Sequence, residues 1–87
     1  MVKLRLDSGE EAEARNFDGV VLTVSSPRAF APGAPIHFST TADGDTRNFE
    51  GRTIGSKRVD AAHFEVRLRL VNLRRADREL LVGRLGN

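Results

Sequence analysis

Apolar and polar residues alternate along much of this chain, in the rhythm of strands with one buried face. Val2, Leu4 and Leu6 alternate with Lys3 and Arg5, so the first strand takes up Met1 to Leu6. The polar group Asp7-Ser8-Gly9 then forms a turn. Val20, Leu22 and Val24 alternate with Val21 and Thr23, although Val21 suggests cover on both faces. Pro27, Pro32-Gly33 and Pro35 enforce a loop, because proline cannot donate to a sheet ladder and glycine tolerates positive φ. Ile36 and Phe38 flank His37 in a short strand, and Thr41-Ala42-Asp43-Gly44-Asp45 is a polar turn whose Asp-Gly pair is a hairpin signal. Beyond it, Phe49, Gly51 and Thr53 share one face of a strand, with Glu50, Arg52 and Ile54 on the other. The clearest strand is HFEVRLRL. Phe64, Val66, Leu68 and Leu70 point one way and His63, Glu65, Arg67 and Arg69 the other.

After Leu70 the period changes. Leu73, Leu80 and Leu81, spaced among charges, suit a short amphipathic helix with Asn72 as its N-cap and Gly83 at its end. Arg74 and Arg78 fall on one helix face, and Arg75 is placed to pair with Glu79. About five or six closely spaced strands and one terminal helix predict a mainly β fold, a small antiparallel barrel or sandwich. Closure would also remove the edge strands that so small a sheet could hardly protect.

With 87 residues the chain is one small domain, residues 1–87. It contains no cysteine, which excludes disulfides, thiolate metal sites and thiol nucleophiles and fits a reducing compartment. MVKLRLDSGEE turns acidic where a signal peptide would need an apolar run, and no long apolar segment follows. The expectation is a soluble, cytoplasmic protein without membrane insertion. Lysine occurs only at Lys3 and Lys57, so the basic charge is almost wholly arginine. Guanidinium forks suit phosphate and carboxylate partners. A formal net charge of only +2, however, favours codon bias over an anionic partner as the source of the arginines.

Catalytic chemistry is not visible. His37 and His63 fall on outward faces of different strands, and none of Ser8, Ser25, Ser26, Ser39 or Ser56 sits in a nucleophile elbow. Asp43 and Asp45 lack the remaining positions of a calcium loop and are turn residues. Gly51 and Gly55 have neither the spacing nor the following helix of a phosphate loop. No catalytic, metal or cofactor site is expected.

Several pieces taken in order carry a family resemblance: a turn ending in glycine, GVVLTVS, FAPGAPIHF, FEGRTIGS, HFEVRLRLVNL and a closing helix. From about residue 12 to the end, this succession resembles a PilZ domain, the six-stranded barrel of bacterial proteins known for binding cyclic di-GMP. The resemblance implies a six-stranded antiparallel β-barrel with a short C-terminal helix. Members that bind the dinucleotide carry RxxxR ahead of the barrel and [D/N]xSxxG at the turn from the second strand to the third. Arginine forks clamp phosphate or guanine edges, a carboxylate accepts from guanine's donors, and glycine permits the turn. Laid on ARNFDGVVL, the second signature keeps Gly19, exchanges serine for Asn16 and loses its acid at Ala14. The first signature is missing: Lys3 and Arg5 are strand positions, and Arg74 to Arg78 lies at the far end on a solvated helix face.

The resemblance and the missing motifs together imply a non-catalytic adaptor acting through protein partners in motility, secretion or cell-surface signalling, without cyclic di-GMP bound in the usual way. The candidate contact surface is the strip Glu65, Arg67 and Arg69, joined by Lys3 and Arg5 if their strands are neighbours. One alternative is a cyclic di-GMP receptor with a non-standard site that borrows Arg15, Arg28 or a second protomer. The other is a small-barrel nucleic-acid binder, for which the absence of Trp and Tyr leaves a poor stacking platform.

Overall fold

The structure is a computed structural model that describes residues 2–42 and 44–85, so Met1 and the turn position Asp43 lie outside the described residues. Six strands, β1 (Val2–Leu6), β2 (Glu11–Phe17), β3 (Val21–Ser26), β4 (Pro35–Ala42), β5 (Asp45–Arg58) and β6 (Phe64–Val71), precede one helix, α1 (Arg75–Leu85). They close into an antiparallel barrel in the order β1-β2-β3-β6-β5-β4. The seam between β1 and β4 is short, pairing Arg5 with Ser39 and Leu6 with Phe38. It is reinforced by the Thr40 hydroxyl, which donates to the Lys3 carbonyl at 2.9 Å, and by the Asp7 amide, which donates to the His37 carbonyl at 3.1 Å.

Alternation fills the interior. Leu4, Leu6, Leu22, Val24, Ile36, Phe38, Phe49, Val66 and Leu68 are all buried. Phe38 and Phe49 are register partners and stack with ring centroids 5.2 Å apart. Gly51 also faces inward, where a Cβ would come within 2.5 Å of Leu68 Cδ1 and 3.1 Å of the Arg69 carbonyl oxygen. Only glycine lets β5 and β6 approach so closely there. Two bulges bend the strands toward closure, with Arg15 the extra residue in β2 and Ile54 the extra residue in β5. The proline loop laces back onto β5: the Gly33 amide donates to the Thr53 carbonyl at 2.7 Å, and the Phe30 amide to the Ser56 hydroxyl at 2.9 Å.

Several local expectations are corrected. Residues 11–17 form a strand, so the expected turn ending in glycine is confined to Asp18 to Val20. Val20 is 53% exposed, because β3 starts after it and Ser26 completes the inner face instead. His63 precedes β6 and contacts Asp60 at 3.1 Å through Nδ1. Asn72 is not an N-cap. It adopts φ 53° in the bend ahead of the helix, a region Asn enters more readily than most residues, and the first helical bond runs from the Arg78 amide to the Arg74 carbonyl. Gly83 does not end the helix, which runs on to Leu85 because that side chain is buried in the core.

Candidate functional site

The outer surface of the barrel is organised by register. Lys3 faces Glu13 and Arg5 faces Glu11 across β1 and β2, and on the other side of the barrel Glu65 faces Lys57 across β6 and β5. These opposed charges are mutually favourable. Elsewhere they are not. Arg69 lies directly opposite Arg52 on β5 and opposite Val21 on β3, and Arg67 lies opposite Thr23 and Gly55. Among the described residues neither the Arg67 nor the Arg69 side chain makes a hydrogen bond or an ion pair. The expected strip thus divides. β1 and β6 are not neighbours but stand across the barrel from each other, so Lys3 and Arg5 do not extend the surface of Arg67 and Arg69.

A second locus is the turn after β2. Asp18 accepts hydrogen bonds from the Val20 amide at 2.8 Å and the Val21 amide at 2.7 Å, and Gly19 adopts φ 100°. The Arg78 guanidinium, reaching across from α1, donates to the Gly19 carbonyl. The expectation that this helix arginine is merely solvated is therefore incomplete. Arg75 does pair with Glu79, at 3.6 Å, and Arg74 is exposed. Of the signature positions, Ala14 is fully buried and faces the core between Val2 and Val24, whereas Asn16 is exposed opposite Thr23. Arg28 is engaged by Glu10 at 2.8 Å, at the other end of β2 from Gly19, and Arg15 lies 3.8 Å from Glu13.

The Asp18 carboxyl is held below the ordinary aspartate range, first by the Val21 amide, then by the Val20 amide, with the Arg67 charge adding to them. A depressed folded-state pKa contributes stability that is present above the unfolded value and lost as pH falls through the folded one. Acidification is accordingly expected to shift the Val20 and Val21 amide resonances with a midpoint below about 3.9. A midpoint at or above that value in an NMR titration would show that the carboxylate does not cap the turn.

A third feature is a cleft of about 500 Å³ between the start of β5, the end of β6 and α1, lined by His37, Arg47, Glu50, Asn72, Arg74 and Asp77 among others. Arg47 occupies an inward register position at the barrel mouth and binds Asp77 at 2.7 Å. That pair ties the helix to the barrel. Among the described residues no group of three or more His, Cys, Asp or Glu side chains is placed to hold a metal ion, and no helix is long and apolar enough to cross a membrane. Comparison with family models, curated proteins and solved structures gave no match.

Proposed function

We propose that this chain is a PilZ-like, non-catalytic adaptor domain of bacterial signalling that works through protein contacts and does not hold cyclic di-GMP in the usual way. The observation that carries the reading is the outer face of β6, where the Arg67 and Arg69 side chains stand exposed with no hydrogen bond or ion pair among the described residues, while Lys3–Glu13, Arg5–Glu11 and Lys57–Glu65 are opposed charges in register. A closed six-stranded barrel with a C-terminal helix is compatible with the family resemblance, though a fold by itself specifies no function. The acid position of the nucleotide signature falls on Ala14, inside the core, where it has no access to a ligand.

The adaptor reading predicts that reversing both charges, Arg67→Glu with Arg69→Glu, releases bound protein partners in a pull-down while the barrel stays folded. Retention of every partner would overturn it. A second reading is a cyclic di-GMP receptor with borrowed arginines, and the positions of Arg78 at the Gly19 carbonyl and of Arg67 near Asp18 favour it. Titration with the dinucleotide, followed by calorimetry and amide shifts, separates the two. The adaptor reading expects neither heat nor shifts at high micromolar ligand, and saturable shifts at Gly19, Val20 and Arg67 would establish the receptor instead.

A further inference from the structure

We propose that the outer face of β3, β6 and β5 docks an acidic segment of a partner protein that also carries aliphatic side chains. The inference rests on the adaptor reading and adds the chemistry of the partner. Arg52 and Arg69 are direct register partners, and like charges placed opposite each other in a sheet repel. Arg67 follows two residues along on the same face of β6, with Gly55 as its register partner on β5. The nearest carboxylates offset the three arginines only in part. Asp18, held by two backbone amides, feels the Arg67 charge but forms no ion pair with it, Glu65 faces Lys57, and Glu50, diagonal to Arg69, forms no ion pair with it. Across the barrel Lys3 faces Glu13 and Arg5 faces Glu11, and at the far end of this same face Lys57 faces Glu65. The unmatched positive charge on this face is therefore at its Arg52, Arg67 and Arg69 end.

The patch is not purely ionic. The β5 bulge pushes Ile54 out of pairing, opposite the step from Arg67 to Leu68, and leaves it 42% exposed. On the other flank Val21 pairs with Arg69, and exposed Val20 precedes it. Guanidinium groups framed by aliphatic side chains suit carboxylates attached to an apolar segment. Arg67 and Arg69 are separated by two strand residues, about 6.5 Å, the spacing of alternate side chains in an extended peptide. Each of β3, β6 and β5 already has neighbours on both sides, so the partner cannot add a strand and must be held by side chains. A nucleic acid is less well served. Phe17, Phe38 and Phe49 are buried, and the two half-buried rings, Phe30 and Phe64, lie under Arg28 and Arg58. The face offers no ring on which a base could stack.

The test is an amide-resolved NMR titration of the full chain with a short synthetic peptide bearing two glutamates at alternate positions and flanking leucines. Parallel titrations use its glutamine counterpart, a single-stranded oligonucleotide and cyclic di-GMP. Shifts are expected at Val20, Val21, Ile54, Arg67 and Arg69, with affinity falling roughly tenfold or more for the glutamine peptide and for the R67E/R69E variant. Unchanged melting of that variant shows that it is folded. Equal affinity for the glutamine peptide, or no shift at millimolar concentration, overturns the proposal. Peptide shifts on another face of the barrel refute this docking surface while leaving the adaptor reading in place. Shifts on this face from the oligonucleotide or the dinucleotide alone overturn both.

Discussion

Leu81→Ala is expected to lower the stability of this domain by about 2–5 kcal/mol, the usual range for truncating a buried leucine. The usual per-residue stability gives a domain of 87 residues roughly 4–13 kcal/mol in total, so the loss is a large fraction of it. Leu81 is fully buried, and with Leu85 it carries the helix into the core. An isolated helix of 11 residues has little stability of its own and depends on such packing. The polar tie from Arg47 to Asp77 does not replace it, because Arg47 is partly exposed and screened by solvent. Thermal melting followed by circular dichroism should show a fall of about 10 °C or more. Leu80→Ala, at a half-buried position one residue away, should cost less than half as much. Equal effects of the two substitutions would mean that α1 is not anchored through Leu81.

The contrast between legible and illegible elements follows from phase. β6 reads directly because Phe64, Val66, Leu68 and Leu70 keep strict alternation and each is large. β2 does not: its inward residues are Ala12, Ala14 and Phe17, two of them too small to signal burial. The bulge at Arg15 then shifts the third out of step. The second half of β5 is hidden in the same way, since the bulge at Ile54 puts an apolar residue outside and ends the visible rhythm. Val20 errs in the opposite sense. Its place before Leu22 and Val24 mimics alternation, but the Asp18 carboxylate holds its amide in a turn.

Much of the candidate surface depends on relations between strands. Arg67, Arg69, Arg52 and Ile54 are each visible as outward residues from their own segments. That Arg52 faces Arg69, and that Lys3 and Arg5 stand on the far side, are consequences of strand order and register. No local pattern encodes either. The contact of Arg78 with the Gly19 turn likewise arises from where the helix comes to rest. Sequence periodicity identifies charges on a face; only closure of the barrel decides which charges share it.

Ala14→Asp, which would restore the acid of the nucleotide signature, is expected to cripple the fold and create no site. Ala14 is fully buried and pairs with Val2 on one side and Val24 on the other. A carboxylate there has no partner, and an uncompensated buried charge costs about 3–5 kcal/mol. Added volume contributes separately, about 1–3 kcal/mol, and Ala14→Val isolates it because it adds bulk without charge. Burial raises the folded-state pKa of the new carboxyl. Relative to Ala14→Val, its deficit should therefore be small below about pH 4 and grow as pH rises through the unfolded value. Urea unfolding of both variants across that range measures the effect. Two pH-independent curves of equal midpoint would mean that the position reaches solvent, so that the frame placing Ala14 in the core, and with it the argument against a conventional nucleotide site, would fail.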